Sequence, residues 1–133
     1  MMVGALGAGL SDALAGRSTS GSDGAFDGLG GSWPALAGFA VTTALVVPVV
    51  EEIVFRRLLY GWLTRRVTVA VAVLLTGTIF GLCHVAPEII AYVLPWGLGV
   101  TTLRAWHDTL WASVIAHVVN NTLVTAVALS ALA

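Results

Sequence analysis

The sequence predicts an all-α integral-membrane bundle of about four transmembrane helices. Of its 133 residues, 58% are hydrophobic and 10% are charged, and the mean hydropathy is +0.95. An average soluble domain is nearer to about 45–50% apolar and about 25% charged. A chain this short cannot bury so much apolar surface in water. Its apolar runs also reach the roughly 20 residues that a helix needs to span a bilayer.

Two regions differ in composition. Residues 1–32 are rich in Gly, Ser, Ala and Asp, which predicts a flexible tail. Residues 33–133 form the predicted membrane-embedded core. The core begins with Trp33-Pro34, an interfacial aromatic residue followed by a proline that is favoured at a helix start.

The first predicted helix runs from Trp33 to about Thr64. It is longer than a bilayer requires, so we expect it to be tilted, bent or protruding. Pro48 is expected to kink it and to free a backbone carbonyl near the charged residues that follow. Arg65-Arg66 predicts the turn that ends it.

Three further segments are predicted at residues 67–84, at 89 to about 103, and at 110 to about 132. The third segment is short for a span and contains Pro95, Gly97 and Gly99; its glycines would permit close helix approach. We therefore expect a multi-pass protein integral to the cell membrane, in contact with the lipid bilayer.

Charge and cysteine content exclude several classes of function. The net charge of −1 offers no basic patch for nucleic acid. A single cysteine, Cys83, excludes an internal disulfide and a multi-cysteine zinc site. Cys83 precedes His84, but neighbours on a helix point about 100° apart. We interpret Cys83 as a small buried hydrophobic residue and not as a nucleophile.

Charged residues interrupt the first apolar run at Glu51, Glu52 and Arg56. A charge in the bilayer centre costs about +2.5 to +3.5 kcal/mol on insertion scales, so such groups usually face the bundle interior and have a function. Glu52 and Arg56 have the i,i+4 spacing of an ion pair. That pair would leave Glu51 available as a general base. The alternative is that both glutamates pair with Arg56 and Arg57.

Histidines and an asparagine lie in the later apolar segments. Phe80 and His84 are four residues apart, as are His117 and Asn121, so each pair shares a helix face. Each histidine is a candidate for catalysis. The alternative is a hydrogen bond between helices, which is also how we interpret Asn120.

Three spaced motifs together resemble a known family. They occur in the order Glu51-Glu52-x-x-x-Arg56, Phe80-x-x-x-His84 and His117-x-x-x-Asn121. In this order they are similar to the motifs of the CPBP family, also called Abi, which includes the CAAX proteases and bacteriocin-processing intramembrane proteases. The likeness extends from about Ala44 to about Val124.

The resemblance implies an intramembrane endopeptidase that acts on a peptide or membrane-protein substrate. It implies four catalytic residues and two supporting ones: Glu51, His84, His117 and Asn121, with Glu52 and Arg56. By resemblance, the first two would activate a water molecule and the next two would stabilise the oxyanion. The supporting pair would maintain the geometry.

Two questions stay open at this point. A glutamate-based mechanism without a cofactor is favoured, whereas a metalloprotease would hold zinc with Glu51, His84 and His117. The alternative function is a non-catalytic membrane protein of the same fold, with an immunity or scaffold role. Arg57 supports that alternative, because the family commonly has glycine there, and so does the short chain.

Overall fold

The computed structural model describes residues 32–84 and 86–130, which form four helices and, within those ranges, no strand. The helices are α1 (Trp33–Leu63), α2 (Val69–Leu82), α3 (Pro87–His107) and α4 (Leu110–Ser130). Helices α1 and α4 are long and apolar enough to cross a membrane. The predicted all-α membrane bundle is confirmed. The predicted tail, except for Ser32, lies outside the described residues.

The interior of the bundle is polar at its centre, while many large apolar side chains face outwards. Leu58, Leu74 and Leu123 are among the exposed ones. The buried polar residues are Thr43, Glu52, Arg56, Thr76, Thr101, Ser113, His117 and Thr125. This distribution suits lipid outside the bundle and hydrogen-bonded polar groups between its helices.

Helix α1 contains a wide, π-helical stretch at Thr42–Val46, just before Pro48. There the Val47 N–H donates to the Thr42 carbonyl, five residues back. In the same register the Thr43 carbonyl would need an N–H from Pro48, and proline has none. The Thr43 carbonyl is therefore left without a backbone donor. This is the freed carbonyl that Pro48 predicts.

Helices α2 and α3 pack with their backbones almost in contact. A Cβ added at Gly77 would lie 2.9 Å from the Leu98 Cα, and one added at Gly81 would lie 2.9 Å from the Leu94 Cα. Both glycines lie on the same face of α2, one turn apart. The close packing thus depends on two small residues of α2 that the sequence analysis did not single out.

The expected role of the α3 glycines is half right. A Cβ at Gly97 would lie 3.1 Å from the Gly77 carbonyl oxygen, so Gly97 does permit close approach. A Cβ at Gly99 would have no atom within 4 Å, so that part of the expectation is wrong. Gly99 is two residues from Gly97 and so lies about 200° around the helix, which means that the two glycines cannot both face α2.

Helix α3 is longer than expected, with 21 residues from Pro87 to His107. Pro87 lies in its first turn, where the missing N–H costs nothing. Pro95 lies inside the continuous helix, as membrane helices tolerate when neighbouring groups satisfy the freed backbone. The helix ends at Asp108, which has a positive φ of 48°. The connection to α4 is therefore shorter than predicted.

Helix α2 ends earlier than expected, at Leu82. The last turn tightens, with the His84 N–H donating to the Gly81 carbonyl. Ala86 is extended, as the residue before a proline usually is. His84 therefore lies in the connection after α2 and not on the helix. Cys83 is exposed, so its interpretation as a buried residue is wrong.

We predict that Gly81→Ala destabilises the bundle by about 1–3 kcal/mol, the usual cost of overpacking. The added methyl group must move the α3 backbone at Leu94. Thermal unfolding in detergent measures the change. The control is Gly61→Ala in α1, where a Cβ meets no atom within 4 Å. Equal melting temperatures for the two variants would contradict the close packing of α2 on α3.

Candidate active site

A buried ion pair forms the centre of the site. The Arg56 Nη1 lies 2.9 Å from the Glu52 Oε1, and both side chains are 0% exposed. The two residues lie on successive turns of α1, where Val47–Glu52 is α-helical and Ile53–Leu59 is π-helical. The ion pair that the i,i+4 spacing predicts is therefore present.

The Arg56 guanidinium connects α1 to both α2 and α3. Its Nε donates to the Thr101 Oγ1 at 3.3 Å, and its Nη2 donates to the Gly97 carbonyl at 3.2 Å. The guanidinium also lies over the Phe80 ring, with Cζ 4.2 Å from the ring centroid. The Thr101 hydroxyl in turn donates to the Gly97 carbonyl at 2.7 Å. Arg56 is thus held by an ion pair, two hydrogen bonds and a cation–π contact.

Helix α4 contributes His117, which lies between the two glutamates. Its Nδ1 is 2.8 Å from the Glu52 Oε1, the same oxygen that pairs with Arg56. Because an ionised carboxylate only accepts, Nδ1 carries the hydrogen of this bond. The other nitrogen, Nε2, lies 3.6 Å from the Glu51 Oε2. The Glu51 side chain is 22% exposed, so it is the more accessible of the two carboxylates.

His84 reaches the same region from the connection after α2. Its Nδ1 lies 2.9 Å from the Phe80 carbonyl oxygen. Since a carbonyl only accepts, Nδ1 carries the proton and Nε2 of the neutral ring is available as an acceptor. The Phe80 ring contacts both imidazoles edge to face, with centroids 5.0 Å from His84 and 5.7 Å from His117. Through Phe80, both imidazoles belong to one cluster with the Arg56 guanidinium.

Asn121 lies next to the freed carbonyl of α1. Its Nδ2 donates to the Thr43 carbonyl at 3.1 Å. One of the two Nδ2 hydrogens is used in this bond, and the second is available to another acceptor. The neighbouring Asn120 hydrogen-bonds to Tyr92 of α3, which is the helix-packing contact that we expected of it.

Several contacts of the site were not predicted from the sequence. Thr101 and Gly97 bind Arg56 from α3, and Thr43 binds Asn121 from α1. The Trp96 ring also lies near His117, with centroids 6.5 Å apart. Two signals in the sequence could have indicated these contacts. One is the i,i+4 spacing of Gly97 and Thr101, and the other is the position of Thr43 five residues before Pro48.

Zinc was the candidate cofactor. Over residues 32–84 and 86–130, no three or more His, Cys, Asp and Glu side chains are gathered to hold a metal ion. The Nδ1 atoms of His84 and His117 are both engaged, by the Phe80 carbonyl and by Glu52. Zinc-bound histidines are commonly held by such a bond from the other ring nitrogen, so these two bonds do not by themselves exclude zinc at Nε2.

Comparison with known proteins places the chain in a family. The family model described as type II CAAX prenyl endopeptidase Rce1-like matches residues 33–123. The chain belongs to this Rce1-like family. The matched range includes all three motifs, so the resemblance inferred from them is confirmed.

A relative in the same class is found in Bacillus subtilis (strain 168), under the name "Putative membrane peptidase YdiL". It is 29% identical over 84 residues, which are 63% of this chain and 34% of the relative. The chain thus spans about a third of the length of that curated relative. No solved structure matches the chain. Membership in the Rce1-like family and the two long apolar helices identify a membrane protein.

We predict that Arg56→Ala lowers the free energy of unfolding by about 3–5 kcal/mol, because it leaves Glu52 buried without its counter-charge. Thermal or denaturant unfolding in detergent measures the loss. Arg57→Ala is the matched control, since the Arg57 side chain is exposed. If both variants unfold like the wild type, the Glu52–Arg56 pair does not stabilise the fold.

Proposed function

We propose that this chain carries the catalytic centre of an intramembrane endopeptidase that hydrolyses a peptide bond in a peptide or membrane-protein substrate. The observation that supports this most is the contrast between the two glutamates. Glu52 is fully buried and bound by Arg56 and His117, while Glu51 is partly exposed beside His117. One carboxylate is thus available for chemistry, and the other holds the surrounding groups.

In this proposal Glu51 and His84 activate the attacking water. The His84 Nε2 orients the water as an acceptor, and the Glu51 carboxylate takes its proton. The water oxygen then bonds to the substrate carbonyl carbon, and the carbonyl oxygen takes up the electron pair. When the C–N bond breaks, Glu51 returns the proton to the leaving amine.

His117 and Asn121 would stabilise the oxyanion. The second Nδ2 hydrogen of Asn121 is one donor, and the Nε2–H of His117 is the other. For His117 to act in this way, Nε2 must carry a proton. Because Nδ1 already donates its hydrogen to Glu52, Nε2 carries a proton only when the ring is an imidazolium, so this role requires a doubly protonated His117 between Glu51 and Glu52. Glu52 and Arg56 act through His117 and keep it in place.

The proposed setting is a multi-pass protein of the cell membrane, with lipid around α1 and α4 and no nucleic-acid partner. Arg57 had favoured the non-catalytic alternative, because it replaces a glycine that is common in the family. Its side chain is exposed, whereas Glu52 and Arg56 are buried. Arg57 therefore adds no charge to the buried cluster, and this argument against catalysis loses its force.

We predict that Glu51→Gln lowers turnover by a factor on the order of 10² or more, since a positioned base contributes about 10²–10⁴. The variant keeps the shape of the side chain, so its melting temperature should stay near that of the wild type. Turnover is measured on membrane and peptide substrates. Glu88→Gln, at an exposed glutamate in the first turn of α3, is the matched control and should keep full turnover. Equal hydrolysis by wild type and Glu51→Gln, or none by either, would favour the non-catalytic membrane protein.

We predict that chelators leave the turnover of the purified protein unchanged and that added Zn²⁺ does not raise it. A glutamate-based mechanism needs no metal, whereas a zinc enzyme loses activity with its metal and regains it on reloading. The measurement is peptide hydrolysis before and after dialysis against a chelator. Loss of activity followed by recovery with Zn²⁺ would assign Glu51, His84 and His117 to a metal instead.

A further inference from the structure

A line of hydrogen bonds runs from α3 through two residues of α4 to the backbone of α1. The Tyr92 hydroxyl donates to the Asn120 Oδ1 at 2.7 Å. The Asn120 Nδ2 donates to the Asn121 Oδ1 at 3.4 Å. The Asn121 Nδ2 then donates to the Thr43 carbonyl at 3.1 Å. Every donor in this line points towards α1.

The Thr43 carbonyl sets the direction of the whole line. A carbonyl can only accept, and Pro48 leaves this one without a backbone donor. Asn121 must therefore turn its NH₂ group to Thr43 and its oxygen to Asn120. Asn120 must in turn present its own NH₂ group, which directs its oxygen to the Tyr92 hydroxyl. Reversing either amide would bring two acceptors, or two donors, together.

We propose that Tyr92 and Asn120 are positioning residues that hold the Asn121 carboxamide in the orientation needed to donate to the substrate oxyanion. This inference rests on the proposed function of Asn121. Tyr92 and Asn120 touch neither Glu51 nor His117 in any of the contacts described above, so they would act through Asn121 alone. Without the Tyr92 hydroxyl, the Asn120 amide can rotate and its bond to Asn121 is weakened. Asn121 is then held only by its hydrogen bond to the Thr43 carbonyl.

The first test is the kinetics of Tyr92→Phe, which removes only the hydroxyl. The loss of one neutral hydrogen bond is about 0.5–1.5 kcal/mol, so kcat should fall by roughly two- to tenfold. The KM should stay unchanged, because the bond orients a group that acts on the transition state. Tyr60→Phe is the matched control. Tyr60 is the other tyrosine of the chain and lies outside this line, so its variant should keep the wild-type kcat.

The second test separates positioning from a general structural effect. In an Asn121→Ala background, Tyr92→Phe should cause no further loss of kcat, because the group that it positions is gone. The same is expected of Asn120→Ala in that background. If Tyr92→Phe lowers kcat by the same factor whether residue 121 is Asn or Ala, the proposal is overturned. An undiminished kcat in Asn121→Ala alone would instead refute the proposed role of Asn121.

The third test does not depend on turnover. NMR of the Asn121 side-chain amide in detergent micelles reports its order and hydrogen exchange. Tyr92→Phe should shift these signals and speed their exchange, while Tyr60→Phe should leave them unchanged. If both variants leave the Asn121 signals as in the wild type, Tyr92 does not position Asn121 and the proposal is wrong.

Discussion

The architecture depends on one buried ion pair, Glu52–Arg56. Removing each charge from water costs several kcal/mol, and mutual attraction compensates only when the geometry is good and further hydrogen bonds are made. The pair is close and several further hydrogen bonds are made, although the other Glu52 oxygen, Oε2, has no hydrogen-bond partner among the described residues. The Glu52 oxygen that binds Arg56 also binds His117, and Arg56 binds Thr101 as well. The requirement to satisfy these two charges therefore determines where α3 and α4 contact α1.

The same requirement explains why the centre of the bundle is polar. Phe80 supplies the apolar surface there, and it does so with its ring contacting Arg56, Phe55, His84 and His117. An aromatic face attracts a cation and its edge suits a neighbouring ring. A single phenyl group thus contacts both imidazoles and the guanidinium.

The close contact of α2 and α3 is a second condition for the site. Gly77 and Gly81 bring the α3 backbone within reach, and Gly97 lies on the facing side. The Gly97 carbonyl accepts a hydrogen bond from Arg56 of α1, while the open Cα side of Gly97 lies against Phe80 and Gly77 of α2. The contacts of Arg56 therefore depend on the small residues between α2 and α3, since a wider gap between these helices would leave Arg56 with fewer acceptors.

The sequence predicted relations within a helix better than relations between helices. The pairing of Glu52 with Arg56 and the carbonyl freed by Pro48 follow from residue spacing and proline chemistry. Thr101 could not be predicted as a partner of Arg56, because such contacts depend on the tilt and rotation that packing sets. The proposed roles of the site residues rest on the family resemblance together with the contacts that these residues make in the structure.

His84 shows a different limit. Its motif spacing suggested a helical position, but the chain leaves the helix after Leu82. The bond from its ring to the Phe80 carbonyl nevertheless keeps the i,i+4 relation. The four-residue spacing thus correctly predicted that His84 lies next to Phe80, but it wrongly predicted that His84 is helical.

The local nature of the ion pair has a consequence for biosynthesis. Glu52 and Arg56 are on adjacent turns of α1, the first of the described helices to leave the ribosome. The two charges can therefore neutralise each other before Thr101 and His117 have been synthesised, which lowers the cost of passing them into lipid. Helices α3 and α4 later add hydrogen bonds to a pair that already exists. The order of synthesis thus allows α1 to enter lipid with its charges already paired.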